Sequence, residues 1–198
     1  MPYSHFTLKS LEKTFNLQET VQQLFPTVEP HNPSAWLQET LAKGSYLALK
    51  TEKARSEMII APILLEITDK NQRALTLFSG ETLDVDSNQG LNGECDFILS
   101  KSSHTYTLQA PIFALVEAKQ HIIENSLGQC AAQMVGARLF NQLENQPLET
   151  IFGCVSSGEV WQFLKLEQQM IIIDEKRYFL NNLAQILGVL QHIIDCYR

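Results

Sequence analysis

The sequence contains neither closely spaced cysteines nor an apolar run long enough to cross a membrane. Its four cysteines, Cys95, Cys130, Cys154 and Cys196, stand far apart without a C-x-x-C pair, which argues against a zinc ribbon or a disulfide framework. No window approaches the roughly 18 apolar residues of a membrane span, and the first residues lack the pattern of a secretion signal. We therefore expect a soluble, cytoplasmic protein with reduced thiols.

Basic residues are scarce. The chain has 15 Lys and Arg residues against 22 Asp and Glu residues, so its net charge is −7. Sequence-independent binding of nucleic acid depends on many Lys and Arg contacts to phosphates. The composition excludes a general DNA-coating protein. Any contact with nucleic acid must be local, assisted by a metal ion, or shared with a second copy of the chain or a partner subunit.

Several common catalytic motifs are also missing. There is no phosphate-binding loop of the G-x-x-x-x-G-K-[ST] type and no G-x-S-x-G nucleophile turn,. The histidines do not pair with another ligand at helical spacing, and surface or packing roles suit them best. They are His5, His31, His104, His121 and His192.

Hydrophobic spacing predicts helices in the first part of the chain. Apolar residues over 17–25 keep helical spacing, and Ser34 is placed to cap a helix that ends at Gly44,. A longer helical pattern covers 45 to about 68, and Pro62 should kink or split it.

The period then changes to short strands separated by turn residues, before helical patterns return. The order of helices and strands predicts a mixed sheet covered by helices, an α/β or α+β fold. We expect strands at about 74–79, 94–100, 105–109, 112–118, 150–156, 160–166 and 170–174, a hairpin turn at 101–104, and helices at 124–143 and 183–197.

The most informative segment reads Pro-Ile-Phe-Ala-Leu-Val-Glu-Ala-Lys over residues 111–119. Such apolar runs are usually buried strands, and burying charges at their end is costly unless the charges are paired or bind a ligand. Strand geometry puts Glu117 and Lys119 on one side, roughly 7 Å apart. Asp96 begins another apolar strand that a hairpin could bring alongside. Two carboxylates with the backbone carbonyl of Ala118 would suit Mg²⁺, which prefers oxygen ligands.

Three further polar residues have spacings that could place them near these charges. Glu57 precedes Ile60, Ala61, Leu64 and Leu65 by three, four, seven and eight residues, which predicts an inward-facing carboxylate,. Gln129 and Gln133 share one stripe beside the apolar face of their helix. That stripe could border the site.

The arrangement of Asp96, Glu117 and Lys119 resembles that of the PD-(D/E)XK nuclease superfamily, with its restriction-endonuclease-like fold. The resemblance covers residues 45 to about 157 and implies a core in the order helix, three strands, helix, strand. It implies that Asp96 and Glu117 bind Mg²⁺ or Mn²⁺ and that Lys119 lies near the attacking water. Cys95 stands before Asp96 where the motif has proline.

The same resemblance assigns roles on the flanking helices and divides the chain. Glu57 matches a carboxylate that many members carry on the first core helix, and Gln129 matches a glutamine found after the lysine in some subgroups, with Gln133 as its substitute. We expect a single domain over 1–198, made of an N-terminal helical extension (1–44), a nuclease-like core (45–157), and C-terminal strands with a capping helix (158–198).

The leading hypothesis is a metal-dependent nuclease that hydrolyses phosphodiester bonds in DNA through a metal-activated water. A second hypothesis is a catalytically inactive member of this fold that serves as a structural or recognition subunit, which the acidic composition favours. A third is a plain structural ion pair between Glu117 and Lys119. At the level of single residues, Asp96 could end a turn, Glu57 could be solvated, and the glutamines could flank a buried helix.

Overall fold

A computed structural model describes residues 2–71, 74–102, 105–120 and 123–198. Seven strands form one sheet in the order β1-β7-β6-β5-β4-β3-β2. The strands are β1 Gln18–Gln22, β2 Thr76–Thr82, β3 Glu94–Ser100, β4 Ile112–Ala118, β5 Thr150–Ser156, β6 Val160–Glu167 and β7 Met170–Phe179. The α-helices are α1 Leu8–Phe15, α2 Ala35–Gly44, α3 Glu52–Arg55, α4 Ala61–Lys70, α5 Leu127–Leu143 and α6 Leu183–Asp195.

The sheet is mixed, and helices flank it, as the sequence predicts. The pairs β4/β5 and β1/β7 are parallel, and the other neighbours are antiparallel. Because parallel strands need a crossover connection, α5 carries the chain from the end of β4 back to the start of β5. From α3 to β5 the elements run helix, three strands, helix, strand. No helix in the described part of the chain is long and apolar enough to span a bilayer.

Two apolar layers enclose the sheet. On one face, α4 and α6 pack over residues that include Phe97 and Val116, and on the other face α5 packs over Leu115. Side chains alternate between the faces of a strand, so Glu117 lies on the same face as Leu115. The end of β4 thus presents Glu117 to α5.

The helix prediction for 17–25 is wrong, because this segment contains strand β1. Its residues pair in parallel with Met170–Asp174 of β7. Leu17 and Phe25 are buried at the two ends, while Val21 between them is 59% exposed. The spacing of a few apolar residues imitates a helix here, and tertiary pairing with β7 determines the strand. The first 44 residues are therefore not purely helical.

Two other boundaries also differ from expectation. No strand forms over 105–109, where the Thr105 hydroxyl bonds with the backbone of Thr107, a local contact that competes with strand pairing,. The long helix begins at Glu52 rather than near residue 45, because the Thr51 side chain caps it through the N–H of Ala54,. Part of the predicted turn at 101–104, His104 and His121 lie outside the described residues.

The interruption predicted at Pro62 takes the form of a π-helical turn just before it. Ser56–Ile60 is π-helical, and α4 follows directly with Pro62 in its first turn. Proline has no backbone N–H, so it disturbs the hydrogen bonds of the preceding turn. A π turn contains an extra residue, which rotates the side chains before it relative to those after it. This rotation decides which carboxylate of the helix approaches the sheet.

Asn141 fastens α5 to the start of β4. Its side chain is fully buried, accepts a hydrogen bond from the N–H of Ile112 at 2.7 Å and donates one to the Ile112 carbonyl at 2.7 Å. We expect Asn141→Leu to lower the free energy of unfolding by about 2–4 kcal/mol, because both backbone groups lose their partner in a dry environment. Urea unfolding at pH 7 measures the loss. The exposed neighbour gives a matched control, Gln142→Leu, which should leave stability nearly unchanged; equal effects of the two substitutions would contradict the role of Asn141.

Candidate functional site

The candidate site lies where β3 and β4 separate. Their last paired residues at this end are Phe97 and Val116, so Asp96 and Glu117 lie just beyond the ladder. In place of a backbone partner, the N–H of Ala118 donates to Asp96 Oδ2 at 2.7 Å. On its other side β4 stays paired with β5, and the N–H of Lys119 donates to the Ser156 carbonyl at 2.8 Å. The end of β4 is thus held by β5 and opened towards Asp96.

Three nitrogen donors surround the Glu117 carboxylate, whose residue is only 2% exposed. Lys119 Nζ lies 2.8 Å from Glu117 Oε1, and Gln129 Nε2 donates to the same oxygen at 2.5 Å. Gln133 Nε2 donates to Oε2 at 2.7 Å. Because the two glutamines are four residues apart on α5, they reach the carboxylate from successive helical turns. Glu117 and Lys119 project to the same side, as strand alternation predicts.

Burial controls the ionisation of these groups. Burial and, after it, the Asp96 charge raise the pKa of Glu117 to about 7, against the opposing effects of Lys119 and Gln133. Burial also raises the pKa of Asp96, against the opposing effect of the Ala118 N–H and Lys119. Burial alone would lower the pKa of Lys119, but its carboxylate neighbours together outweigh that effect and raise it. Near neutral pH, the pair of acids can therefore take up or release a proton while Lys119 stays charged.

Glu57 does not join this cluster. Its side chain is 53% exposed and lies 3.8 Å from Lys53 Nζ, so the expectation that it faces inward is wrong. Glu57 lies within the π-helical turn Ser56–Ile60, whose wider winding breaks the regular helical spacing to the buried stripe of α4 and changes the face of Glu57,. Glu52, at the start of α3, approaches instead, with Oε1 at 3.9 Å from Lys119 Nζ. The Thr51 cap that begins this helix is the sequence signal that could have identified Glu52.

The oxygen donors at this end of β4 are of the type that Mg²⁺ prefers. Asp96 and Glu117 contribute carboxylate oxygens, and Ala118, whose N–H meets Asp96, presents its carbonyl to the same side of the strand because both groups of a strand residue face one neighbour,. Over the described ranges no group of three or more His, Cys, Asp or Glu side chains is arranged to hold a metal. An ion here would rely on two carboxylates, a carbonyl and waters, as Mg²⁺ often does.

The side-chain oxygen of Gln133 is a buried acceptor close to this cluster. The residue is fully buried, and its Oε1 has no hydrogen-bond partner among the residues that the structure describes, although its Nε2 donates to Glu117. A buried acceptor without a partner is costly unless water reaches it. The orphaned oxygen is a suitable acceptor for an ordered water behind the carboxylate.

Comparisons of the chain with protein families, with curated proteins and with solved structures give no match.

Proposed function

We propose that this protein is a metal-dependent nuclease of the PD-(D/E)XK type, which hydrolyses DNA phosphodiester bonds. One observation carries the proposal: Asp96, Glu117, Lys119 and Gln129, which the resemblance names from sequence alone, meet around a buried carboxylate at the open end of β4. The order of elements, helix, three strands, helix and strand, also supports it. The acidic composition is compatible with this function because a metal ion supplies positive charge where the phosphate binds.

Each residue of the cluster has a definite task in this proposal. Asp96, Glu117 and the Ala118 carbonyl would hold the ion, and Gln129 and Gln133 keep the Glu117 carboxylate oriented. Mg²⁺ or Mn²⁺, when bound, supplies Lewis-acid stabilisation of the phosphate and a more acidic water. Lys119 positions the attacking oxygen and stabilises negative charge as it develops. The water oxygen forms the new bond to phosphorus and gives up a proton to the solvent, the bond from phosphorus to the bridging ester oxygen breaks, and that oxygen takes up a proton from the solvent.

Three nitrogen donors compensate the charge of the Glu117 carboxylate. They are Lys119 Nζ and the side-chain amides of Gln129 and Gln133. A divalent cation competes with protons for the carboxylate oxygens, because its ligands must be deprotonated. Since the pKa of Glu117 is raised to about 7, metal affinity should increase as the pH rises through neutrality.

A cleavage assay tests the proposal directly. We expect the purified protein to cut at least one of linear, nicked, branched or single-stranded DNA in Mg²⁺ or Mn²⁺ and not in EDTA. Asp96→Asn should reduce the rate at least about a hundredfold, because the ion loses a charged ligand while the Ala118 N–H keeps an oxygen acceptor,.

The matched control is Asp69→Asn, which makes the same charge change at an exposed position of α4. It should cleave at the wild-type rate. If the wild type leaves all four substrates intact in both metals, the enzyme proposal is lost, and a structural or recognition role for an inactive nuclease-like fold takes its place.

A further inference from the structure

A second polar group lies on the same face of the sheet as Glu117, at the far end of one row of side chains. Register places Val155 of β5 beside Glu117, Gln162 of β6 beside Val155, and Arg177 of β7 beside Gln162. Residues in register on neighbouring strands point to the same face, and strands lie about 4.8 Å apart. Arg177 therefore lies roughly 14 Å from Glu117, measured across the strands at this end of the sheet.

Gln162 holds the Arg177 guanidinium in place. This glutamine is only 5% exposed, and its Nε2 donates to the backbone carbonyls of Asp174, at 2.7 Å, and Lys176, at 3.2 Å. Its Oε1 accepts a hydrogen bond from Arg177 Nε at 3.1 Å. A buried, fully bonded amide thus fixes the planar guanidinium. Such a preorganised fork matches the oxygens of a phosphate or carboxylate.

In the structure, the anion bound by the Arg177 guanidinium is a side chain of the protein itself. Arg177 donates to Glu124 Oε1 at 2.5 Å, and Glu124 belongs to a short 3-10 helix, Ile123–Ser126, that leads into α5. The two side chains are 44% and 48% exposed. Exposed ion pairs contribute little to stability and exchange readily with ions from solution. An incoming oxyanion can therefore take the place of Glu124 without disturbing the buried amide behind Arg177.

We propose that Arg177 binds a backbone phosphate of the nucleic-acid strand, with Glu124 occupying the guanidinium until the strand arrives. This inference rests on the proposed nuclease function, which puts the scissile phosphate near Glu117. A strand advances about 3.4 Å per nucleotide along the duplex axis and also winds around that axis, so the separation of roughly 14 Å spans at most about four nucleotides. Arg177 would then recognise the length of strand beside the cleaved bond rather than its sequence, because phosphates carry no sequence information.

DNA binding measured in EDTA tests the role of Arg177 without cleavage of the strand. By fluorescence anisotropy with a labelled 20-nucleotide DNA, we expect Arg177→Gln to weaken binding about tenfold at low salt and to reduce the slope of log affinity against log salt by about one. Glu124→Gln should tighten binding about two- to fivefold, because the competing anion is gone.

The matched controls are Lys43→Gln and Glu39→Gln, which make the same charge changes in an exposed pair on α2 whose ends lie 2.7 Å apart. Both should leave affinity unchanged. The inference is overturned if Arg177→Gln binds the long strand like the wild type, if no oligonucleotide binds, or if inorganic phosphate competes as tightly as the strand. If DNA binding depends on Arg177 but no DNA is cleaved in Mn²⁺, the inference about Arg177 is retained and the nuclease proposal is rejected. If DNA is cleaved but its binding does not depend on Arg177, the nuclease proposal is retained and the inference about Arg177 is rejected.

Discussion

Glu117→Gln is expected to abolish divalent-metal binding. We also expect the change that it causes in the free energy of unfolding to be more favourable above pH 7 than at pH 5. The carboxylate lies in a buried environment, and burial followed by the nearby Asp96 charge raises its pKa from 4.5 to about 7. The ionised side chain is therefore costly to the fold. It is also the form that a metal ion requires. Under the proposed function, metal binding and stability make opposite demands on this residue.

The direction of the pH effect follows from proton linkage. In the unfolded chain Glu117 loses its proton near pH 4.5, whereas the folded protein keeps it until about pH 7. Between these values the folded state binds more protons, so the free energy of unfolding falls as the pH rises and stays lower above pH 7. At about 1.4 kcal/mol per pH unit, the cost amounts to roughly 3 kcal/mol. Glutamine cannot ionise, so the variant avoids this cost.

Chemical unfolding at pH 5 and pH 8, together with Mn²⁺ calorimetry at pH 8, measures both halves of the prediction. The stability difference, Glu117→Gln minus wild type, should rise by roughly 3 kcal/mol between the two pH values. Glu57→Gln is the matched control, since that carboxylate is 53% exposed, and it should change neither quantity. A purely structural ion pair predicts another result: Glu117→Gln would lose stability at both pH values and leave Mn²⁺ binding unchanged.

The parts of the fold that the sequence predicts well are those in which local pattern and tertiary packing agree. Strands β3 and β4 occupy 94–100 and 112–118, as predicted, because each is an apolar run that lies inside the sheet. The Ser34 cap and the end of α2 at Gly44 are confirmed for a similar reason, since a side chain within the same segment satisfies the helix start. The mixed sheet follows from the alternation of such segments.

The failures occur where a distant segment decides the outcome. Strand β1 exists because β7 offers it an edge to pair with, and a short segment with few apolar residues carries no sign of this partner,. The exchange of Glu57 for Glu52 depends on the π-helical turn that contains Glu57, which breaks the regular helical spacing and has only Pro62 as a local cue,. The contact between Arg177 and Glu124 joins residues 53 positions apart.

The candidate site shows the same division within a few residues. Strand alternation predicts that Glu117 and Lys119 share one side, and the 2.8 Å contact agrees with this expectation,. Spacing on α5 explains why Gln129 and Gln133 both reach Glu117,. The opening between β3 and β4, with Asp96 bound to the N–H of Ala118, could not be predicted, because it depends on where the strand ladder stops. The roles of these residues in metal binding and catalysis stay predictions.

Lys119→Met is expected to lower the rate of DNA cleavage by roughly 10²- to 10⁴-fold, the usual contribution of a group that positions or stabilises a reacting oxygen. It should also weaken metal binding at pH 7. The Lys119 ammonium lies 2.8 Å from Glu117 Oε1 and opposes the upward pKa shifts of both Glu117 and Asp96. Without Lys119, burial raises the pKa of both carboxyl groups further, so more of each stays protonated at pH 7. The pH midpoint of metal binding therefore rises.

Raising the pH separates the two roles of Lys119. At pH 9 the acid pair of Lys119→Met can ionise, so Mn²⁺ affinity should return to near the wild-type value. Cleavage should stay at least about a hundredfold slower, because the ammonium that positions the attacking oxygen is still missing. Lys53→Met is the matched control: it removes a lysine whose side chain is 83% exposed beside Glu57, and it should cleave normally. Recovery of cleavage together with metal affinity at pH 9 would mean that Lys119 acts only by keeping the carboxylates ionised.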